Sequence, residues 1–598
     1  MCGIVGCVGR GDDTLDVLMS GLRSLEYRGY DSAGIALGPS MTVMRRSGEL
    51  DALQAAVDAD RPTGTVGIGH TRWSTHGPPT DANAHPHTDE HGRVAVVHNG
   101  IIENYGELKA ELQADGVEFT SETDTEVVPH LIAAELQAGT APETAFHNTI
   151  DRLKGSYAIA VLIDGGETIY AARQGSPLVV GVGEDSTYLA SDVPAFIEHT
   201  RDVVFLEDGH RVIANKDGYT ILDETRQPVD VAVETVSYTA DETGKSGYDH
   251  YMLKEIYEQP TSLRQSFSGR IDALDGTITL EEVDEIPQPD AVQFVACGTS
   301  YHAALYGAAL LRERGIPAEA YLASEYALSP PPLSLGTLVV GITQSGETAD
   351  TLAALRDANG RGVNTLALTN TVNSTAAREC DHAVYIRAGP EIGVAATKTF
   401  SSQLVGCNLL VEELVDSSPD LRPLIESLRD LPGDVQEILD TSRAEALVEE
   451  YADSEAYFFI GRGTNVSVAL EGALKCKEIS YEHAEGFPAG ELKHGPLALV
   501  TPETPVFAVV TGNDERARKT LGNIKEVQAR GAPVIAVTDD QSAAAEIADE
   551  TLTIPETNER VAPILANVQL QLFSYYLADT LGRPIDKPRN LAKSVTVE

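Results

Sequence analysis

The second half of the chain repeats one strand–turn–helix pattern, and this repeat constrains the fold more than any other feature. The run Phe294-Val295-Ala296-Cys297-Gly298-Thr299-Ser300 recurs as Phe459-Ile460-Gly461-Arg462-Gly463-Thr464-Asn465. Apolar strands alternate with amphipathic helices, and the predicted strands of the first copy are Ala291–Ala296, Thr337–Ile342 and Thr365–Leu368. Such alternation is typical of a doubly wound parallel sheet. We therefore predict two homologous α/β domains, at residues 285–430 and 445–585.

The first 238 residues follow a different pattern. Short predicted strands bounded by Gly, Asp or Pro are interleaved with helices such as Tyr105–Ala114 and Glu126–Ala138, which predicts antiparallel sheets with packed helices. The predicted strands are Ile4–Val8, Val66–Gly69, Val94–His98, Tyr157–Ile163, Thr168–Ala172 and Leu178–Val182. A linker with a helix is predicted at residues 239–284, and a short tail at residues 586–598 follows the second α/β domain.

The net charge of −47, from 91 acidic and 44 basic residues, limits the partners of this chain. Nucleic acid and anionic membranes would be repelled, so neither is expected as a partner. The acidic residues are dispersed along the chain rather than gathered in a tail. A dispersed acidic surface is typical of proteins kept soluble in high salt, and we hypothesise a halophilic source.

The cysteines and the apolar segments indicate a reduced, cytoplasmic setting. Six cysteines, at positions 2, 7, 297, 380, 407 and 476, show neither a CxxC pair nor a metal-ligand spacing. The N-terminus has no basic segment followed by a long apolar one, and no stretch approaches the ~20 apolar residues of a membrane span.

Cys2 is a candidate nucleophile because of its position. Removal of Met1 would leave a thiol and a free α-amine on the same residue. The amine titrates at about 7.7–8.0 and the thiol at about 8.5, so the amine can act as the base. This is the chemistry of an N-terminal nucleophile, which needs no histidine partner. The local alternative is a buried cysteine in the first strand.

Two hydroxyl-rich segments follow predicted strands of the first α/β domain. Gly298-Thr299-Ser300 and Gln344-Ser345-Gly346-Glu347-Thr348 offer hydroxyls, backbone N–H groups and a helix N-terminus, which together favour a phosphate. Neither carries a dinucleotide fingerprint or a P-loop lysine, so a sugar phosphate is favoured over a nucleotide. Ordinary N-capping is the alternative. The second domain has Thr511-Gly512-Asn513-Asp514 at the matching place and is predicted to bind no phosphate.

Long motifs then identify a family resemblance. They are Leu25-Glu26-Tyr27-Arg28-Gly29-Tyr30-Asp31-Ser32-Ala33-Gly34, His70-Thr71-Arg72-Trp73-Ser74-Thr75-His76-Gly77, His98-Asn99-Gly100-Ile101-Ile102-Glu103-Asn104, Gly490-Glu491-Leu492-Lys493-His494-Gly495-Pro496-Leu497, and the tail from Pro588 to Glu598. Over essentially its whole length the chain resembles the glutamine–fructose-6-phosphate aminotransferase (isomerizing) family. The resemblance implies an N-terminal Ntn-type αββα glutaminase domain at residues 2–238, two doubly wound α/β sugar isomerase (SIS) domains, and an active-site tail.

The resemblance also implies a reaction and its partners. L-glutamine would aminate D-fructose 6-phosphate, with isomerisation to D-glucosamine 6-phosphate and release of L-glutamate, as the first step of hexosamine biosynthesis. Ammonia would pass through an internal channel. The small-molecule substrates, a homodimer and the absence of any cofactor are expected on the same ground.

In the glutaminase half, the resemblance implies that Cys2 attacks the glutamine side-chain amide. Asn99 and the backbone N–H of Gly100 would form the oxyanion hole. The implied glutamine-binding residues are Arg72 for the α-carboxylate, Asp124 for the α-ammonium, Thr75 and His76 in the substrate loop, and Trp73 as a channel gate.

In the sugar half, the resemblance implies catalytic roles for four residues. Glu478 would move a proton between C2 and C1, with Lys475 one helical turn before it. His494 would assist ring opening from the neighbouring subunit, and Lys593 would meet the open-chain ketone as a Schiff base or activate it. The implied sugar-phosphate ligands are Gly298, Thr299, Ser300, Thr343, Gln344, Ser345, Thr348, Val394 and Ala592.

Three local patterns admit other interpretations. Without the resemblance, Glu471, Lys475 and Glu478 would be interpreted as a surface ion-pair ladder. Histidines at positions 70, 76, 85, 87, 91 and 98 crowd one stretch, but their spacing does not favour a metal site and none is expected. Thr343 and Ala396 stand where the family usually has serine, so the hydroxyl is kept at the first and a sugar hydrogen bond is in doubt at the second.

Other function classes are less well supported. Asparagine synthetases would need a Ser-Gly-Gly-x-Asp-Ser pyrophosphate loop, and phosphoribosyl amidotransferases a Val-Asp-Asp diphosphate loop; neither motif is present. A non-catalytic SIS protein that senses sugar phosphates would have no use for Cys2 or Lys593.

Overall fold

The computed structural model describes residues 2–73, 77–236, 239, 244–283, 286, 288–415 and 420–596. The chain divides into two compact units. The first comprises Met1–Gly244 together with Ala592–Glu598, and the second comprises Lys245–Leu591.

Two antiparallel sheets pack face to face in the N-terminal unit, with a core of small and branched side chains such as Ile4, Ile68 and Val97 between them. In spatial order the eight-stranded sheet contains Glu234–Thr235, Asp202–Phe205, Val179–Val182, Thr187–Ala190, Gly3–Val8, Val66–Arg72, Ser32–Gly38 and Thr42–Ser47. The six-stranded sheet contains Gly218–Leu222, Arg211–Asn215, Ile169–Gln174, Gly155–Ile163, Val94–Ile102 and His87–Thr88.

Helices cover the outer face of each sheet in this unit. Thr14–Ser24 and Leu50–Asp60 pack on the eight-stranded sheet, and Tyr105–Ala114, Val127–Gln137 and Pro142–Ile150 pack on the six-stranded one. Successive side chains of a strand face opposite sides, so Ile4 enters the core between the sheets while Val5 meets the first helix. The resulting helix–sheet–sheet–helix layering confirms the predicted αββα fold.

The C-terminal unit contains two five-stranded parallel sheets with the same strand order, which confirms the predicted repeat. In spatial order the first sheet contains Ala318–Leu322, Ala291–Ala296, Thr337–Thr343, Asn364–Thr369 and His382–Tyr385. The second contains His483–Pro488, Ala456–Gly461, Val506–Val509, Val534–Thr538 and Glu550–Thr553. A two-stranded hairpin, Ile271–Asp272 with Thr277–Ile278, precedes them.

One apolar core runs through both sheets of the C-terminal unit, from Phe294 to Phe573. The helices around it are Tyr251–Tyr257, Gln259–Phe267, Gly298–Glu313, Ala323–Tyr326, Ala349–Gly360, Thr375–Glu379, Lys398–Glu413, Arg422–Thr441, Ala444–Tyr451, Asn465–Ser480, Glu515–Gln528, Ala543–Ile547 and Ala562–Thr580. Helix Gly298–Glu313 contacts helix Asn465–Ser480 of the second repeat. The two repeats therefore share one interior.

Most predicted elements agree with the structure to within a few residues, but one start is corrected. The sequence pattern predicts that the helix after strand Ala291–Ala296 starts at Tyr301, but it begins at Gly298, directly after the extended residue Cys297. Thr299 and Ser300 consequently lie in the first helical turn, where backbone N–H groups have no partner within the helix. In the part of the chain that is described, no helix is both long enough and apolar enough to cross a membrane.

The acidic surface predicts a stability that depends on salt. Helix Arg422–Thr441 exposes Asp430 and Glu437, and burial together with repulsion from these two carboxylates raises the pKa of Asp434 to about 6. Raising KCl from 0.1 M to 2 M shortens the screening length below ~10 Å. We expect the midpoint of thermal unfolding, followed by circular dichroism, to rise by about 5 °C or more.

The control replaces KCl with sucrose, which strengthens burial without screening charge. An equal rise in sucrose, or no rise in KCl, would show that charge repulsion does not limit the stability of this chain.

Candidate active sites

Cys2 lies at the start of strand Gly3–Val8, near the middle of the eight-stranded sheet. Its Sγ accepts a hydrogen bond from the backbone N–H of Trp73 at 3.2 Å and lies 3.4 Å from the carbonyl oxygen of Trp73. Asn99, from the facing sheet, donates from Nδ2 to the carbonyl oxygen of Cys2 at 2.8 Å. The structure therefore brings together two residues that are 97 positions apart in the sequence.

The thiol of Cys2 is held in its neutral form by its surroundings. Burial raises the pKa of Cys2 above its ordinary value, while the positive N-terminus, the Trp73 N–H and Arg72 act in the opposite direction. Because the thiolate is the nucleophile, a reaction at this thiol needs a base close to it.

Gly100 follows Asn99 in strand Val94–Ile102, and its backbone requires glycine. Its φ is +123°, and a Cβ there would lie 2.0 Å from the carbonyl oxygen of Ser156. The left-handed conformation and this close approach exclude any side chain. The peptide after Asn99 is thus held in a conformation that ordinary residues cannot adopt.

Arg72 and Trp73 lie beside the same thiol, and Asp124 lies close enough to Arg72 for its charge to act on it. Burial lowers the pKa of Arg72, and the nearby charges of Cys2, Asp31 and Asp124 oppose this shift. Asp124 accepts a hydrogen bond from the backbone N–H of Ile102 at 2.8 Å. The Trp73 ring packs edge-on against Tyr30, with ring centroids 5.6 Å apart. The other two predicted glutamine-binding residues, Thr75 and His76, lie outside the described residues.

Four histidines of the crowded stretch, His70, His85, His87 and His98, are buried together beside Asn99. Burial lowers the pKa of His70 to about 3, and burial likewise lowers the pKa values of His85 and His87. Within the described ranges, no three His, Cys, Asp or Glu side chains are arranged to hold a metal ion. These three imidazoles are therefore neutral parts of a hydrogen-bonded interior.

The predicted sugar-phosphate segments lie at one edge of the first parallel sheet. Strands Ala291–Ala296 and Thr337–Thr343 are neighbours in this sheet, and the chain leaves them toward opposite sides of the strand order. Their carboxyl ends thus form the crevice in which open α/β sheets bind ligands. Thr299 and Ser300 follow the first strand, and Gln344 follows the second.

Hydrogen bonds shape the second of these segments. The hydroxyl of Thr343 accepts from the backbone N–H of Gly346 at 3.1 Å and lies 3.4 Å from the hydroxyl of Thr348. Ser345 accepts from the N–H of Glu347 at 3.2 Å. Gly346 has a φ of +70°, and a Cβ there would lie 2.0 Å from the hydroxyl oxygen of Ser374, so only glycine closes this turn.

A buried lysine lies between two carboxylates at the first of these segments. The Nζ of Lys475 lies 2.6 Å from Oε2 of Glu478, 3.4 Å from Oε1 of Glu471 and 3.2 Å from the hydroxyl of Thr299. Lys475 is 1% and Glu471 0% exposed, so the interpretation of this run as a surface ladder is wrong. The helical spacing correctly predicts that Glu471, Lys475 and Glu478 share one face of the helix. It does not predict that this face is covered by the first repeat.

The pKa of Lys475 shows why this charge is tolerated. Burial alone would lower the pKa of the ammonium, but Glu478 and Glu471 raise it above its ordinary value. The lysine therefore stays protonated in an interior that would otherwise neutralise it.

Two further residues hold this site and are not predicted from the sequence. His302 Nδ1 lies 2.7 Å from Oε2 of Glu471, and Gln403 donates to the hydroxyl of Ser300 at 2.9 Å. His302 lies in the helical turn after Thr299, so this proximity could have indicated it. Gln403 is 103 residues from Ser300, and no local pattern connects them.

The remaining predicted residues lie in three places. Val394 is buried in a loop whose neighbouring Gly393 N–H donates to the buried Glu255 at 3.0 Å. His494 is exposed at the end of the short helix Glu491–His494. Ala592 and Lys593 group with the N-terminal unit, separately from the other predicted sugar-site residues.

The buried neutral histidines predict a loss of stability in acid. His70 has a pKa of about 3 when folded and about 6.5 when unfolded, so below pH 6.5 the unfolded chain binds the proton more readily. The stabilising contribution is complete above pH 6.5 and is lost as the pH falls toward 3. Between pH 6.5 and 5, wild type should lose about 2 kcal/mol of unfolding free energy relative to His70→Gln.

Urea unfolding of both proteins at several pH values and constant salt measures this difference. The matched control is His91→Gln, because the His91 side chain is exposed. A difference between wild type and His70→Gln that does not change with pH would contradict a neutral buried imidazole.

Comparison with known proteins gives the same division of the chain. The SIS domain model matches residues 285–413 and 450–580, and the glutamine amidotransferase domain model matches residues 70–198. The chain is 53% identical over 610 residues to the glutamine–fructose-6-phosphate aminotransferase (isomerizing) of Halobacterium salinarum, with 100% of both chains covered.

Two further relatives extend the comparison. The protein of the same name from Methanosarcina acetivorans is 45% identical, again with full coverage of both chains. Among solved structures, the C-terminal domain of glucosamine-fructose-6-phosphate aminotransferase from Francisella tularensis is 39% identical with a TM-score of 0.54. That match covers 57% of this chain and 99% of the other.

Proposed function

The chain belongs to the glutamine–fructose-6-phosphate aminotransferase (isomerizing) family, and we propose that it makes D-glucosamine 6-phosphate and L-glutamate from D-fructose 6-phosphate and L-glutamine. The N-terminal unit would release ammonia, and the SIS domains would transfer it to the sugar and isomerise the product. This reaction is the first step of hexosamine biosynthesis.

The observation that carries the proposal is the side-chain amide of Asn99 lying against Cys2. The Cys2 thiol attacks the carbonyl carbon of the glutamine side chain while the α-amine of Cys2 takes the thiol proton. The negative oxygen that forms is held by Asn99 Nδ2 and the backbone N–H of Gly100. Its collapse expels ammonia, which leaves with the proton held by the amine, and water then cleaves the thioester.

Binding of glutamine is assigned to two residues of opposite charge. Arg72 pairs with the α-carboxylate and Asp124 with the α-ammonium, both through charge-assisted hydrogen bonds. Supporting this, the charges of Cys2 and Asp124 both act on the pKa of Arg72. Trp73 is assigned as the gate of the ammonia path, and Thr75 and His76 complete the glutamine-binding set.

The phosphate of the sugar is assigned to the crevice of the first parallel sheet. Thr299 and Ser300 offer hydroxyls and unpaired N–H groups of a first helical turn, and the positive end of that helix favours an anion. The second segment adds further donors. The full set of proposed ligands is Gly298, Thr299, Ser300, Thr343, Gln344, Ser345, Thr348, Val394 and Ala592.

The isomerisation is assigned to Glu478, which moves a proton between C2 and C1 of the open-chain sugar. Its carboxylate is one-fifth exposed, whereas its partner Lys475 is buried, so Glu478 is the member of the pair that can meet a substrate. His494 assists ring opening. Lys593 meets the ketone, either as a Schiff base or by activating it.

A homodimer is proposed because His494 lies exposed in the single chain, with Leu499 beside it at 58% exposure. A partner subunit would cover this segment and receive His494 in its own sugar site.

The proposed domain boundaries are residues 2–238, 285–430 and 445–585, with a linker at 239–284 and a tail at 586–598. The proposed compartment is the cytoplasm, in keeping with six free cysteines.

The two half-reactions should separate by mutation. Cys2→Ala should lower glutamine-dependent synthesis at least about 1,000-fold, because the nucleophile is gone, and spare the conversion of fructose 6-phosphate to glucose 6-phosphate. Lys593→Ala should abolish the conversion of fructose 6-phosphate to glucose 6-phosphate and spare basal glutamine hydrolysis. Coupled assays for glutamate and for glucose 6-phosphate measure both reactions.

Cys7→Ala and Lys587→Ala are matched controls, one on the same strand as Cys2 and one in the same tail segment as Lys593. Full glutamine-dependent synthesis by Cys2→Ala would overturn the proposed function.

The dimeric sugar site can be tested by mixing inactive chains. Glu478→Gln and His494→Ala should each be inactive alone, but a mixed dimer regains one site in which both residues are intact. Random mixing should restore about one quarter of wild-type synthesis, because half of the dimers are mixed and each has one repaired site. Activity is measured after co-refolding differently tagged chains.

The control mixes Glu478→Gln with Lys475→Ala. These two residues lie 2.6 Å apart in the same chain, so no dimer of this mixture contains an intact site. If mixed dimers form but the first mixture stays inactive, His494 does not act across the interface.

A further inference from the structure

The buried histidines beside Asn99 have no role in the reaction described so far. Oδ1 of Asn99 lies 3.0 Å from Nε2 of His70, and the same nitrogen lies 3.0 Å from the carbonyl oxygen of His98. Both oxygens can only accept, so Nε2 of His70 carries the hydrogen. This fixes the Asn99 side chain with its oxygen toward His70 and its NH2 group toward Cys2.

His85 holds the ring of His70 in that orientation. Its Nδ1 lies 3.2 Å from Nδ1 and 3.1 Å from Nε2 of His70, and the two ring planes meet at 72°. Because these distances are nearly equal, Nδ1 of His85 lies over the His70 ring rather than in line with one lone pair. An N–H pointing at the electron-rich face is attractive, whereas a lone pair there is repulsive, so Nδ1 of His85 carries the hydrogen.

Thr125 sets the tautomer of His85. With the hydrogen on Nδ1, the bare Nε2 of neutral His85 accepts from the hydroxyl of Thr125 at 3.1 Å. The Thr125 hydrogen is then used, and its oxygen can accept from Nδ1 of His98 at 2.9 Å. The alternative acceptor for the hydroxyl, a carboxylate oxygen of Asp124, is 3.5 Å away. Each hydrogen in the series of hydrogen bonds from His98 to Asn99 is thereby assigned to one atom.

We propose that His98, Thr125, His85 and His70 form a proton-ordered chain that fixes the side-chain amide of Asn99 with its NH2 group toward Cys2. His70 and His85 are positioning residues for the oxyanion donor and do not touch glutamine. The inference rests on the proposed function, because it gives Asn99 its purpose. Burial keeps both histidines neutral, and the proton-ordered chain requires this, because a protonated His85 would have no nitrogen left to accept from Thr125.

The proton-ordered chain affects only the transition state of glutamine hydrolysis. An amide turned by 180° would present its oxygen to the developing negative charge, and loss of one oxyanion donor lowers kcat about 100- to 1,000-fold. A defect in this donor lowers kcat and kcat/KM equally and leaves KM unchanged. A defect in glutamine binding raises KM instead.

The direct test compares two substitutions of His70 in the full-length protein. His70→Leu removes the donor to Asn99 and should lower kcat for glutamine hydrolysis at least about tenfold with KM changed less than about twofold. His70→Gln places an amide N–H where Nε2 lies and should recover most of kcat. Equal losses in both variants, or a loss confined to KM, would overturn the proposal.

The remote test changes only the hydroxyl of Thr125, which is two links from Asn99. Thr125→Val keeps the shape and should lower kcat about threefold or more without raising KM, while Thr125→Ser should restore it. Thr123→Val is the matched control, because Thr123 is as buried as Thr125 but contacts His87, outside the chain. A raised KM in Thr125→Val would mean that the residue acts through its neighbour Asp124. That result would also overturn the proposal.

Should Thr125→Val fold poorly, the pair His85→Asn and His85→Leu asks the same question. Asn places an N–H at the Nδ1 position and should retain more of kcat than Leu, and equal losses would contradict the chain. Failure of the proposed function is recognised separately, because Cys2→Ala would then still hydrolyse glutamine. Conversion of fructose 6-phosphate to glucose 6-phosphate should be unchanged in every variant of this series.

Discussion

The C-terminal unit depends on a lysine that stays charged in a dry interior. Lys475 is desolvated at a cost that only close carboxylates can offset, and Glu471 and Glu478 supply them. Glu471 also accepts from the hydroxyl of Thr299, whose oxygen in turn lies within reach of the ammonium. Because Thr299 belongs to the first repeat and the three charged residues to the second, this network fixes the position of one repeat against the other. Removing Lys475 would leave two carboxylates without the ammonium that lies between them.

The N-terminal unit contains a buried network of neutral imidazoles instead of a buried charge. A protonated imidazole donates from both nitrogens and accepts at neither, so a network in which each ring offers one donor and one acceptor needs neutral rings. Burial keeps the imidazoles of His70 and His85 neutral, and each then offers one donor and one acceptor. The neutral network orients its side chains through the direction of each hydrogen bond. The charged network around Lys475 orients its side chains through attraction between opposite charges. Burial lowers the pKa of the imidazoles and of the Lys475 ammonium alike, but at Lys475 the two carboxylates reverse the shift.

Local patterns in the sequence predicted the elements well and the contacts between them poorly. Strand Ala291–Ala296 was predicted to the residue because a short, mainly apolar run bounded by turn residues favours a strand. The helix start at Gly298 was placed three residues late, since Thr and Ser in a first turn resemble a loop. Asn99 and Cys2 were predicted as partners from family motifs alone, because a contact between strands 97 residues apart leaves no periodic signal. For the same reason the hydrogen bond between Gln403 and Ser300 was missed.

The two copies of the α/β domain differ at the matching edge of their sheets. A doubly wound sheet presents its strand ends and helix N-termini at one edge, which suits an anion but supplies no buried base. In the first repeat that edge carries the hydroxyls of Thr299 and Ser345. In the second repeat Asn465 and Thr511 satisfy each other across the same edge, with Nδ2 donating to the hydroxyl at 3.0 Å. The later turns of helix Asn465–Ser480 bring Lys475, with Glu478 beside it, to Thr299 at the matching edge of the first repeat.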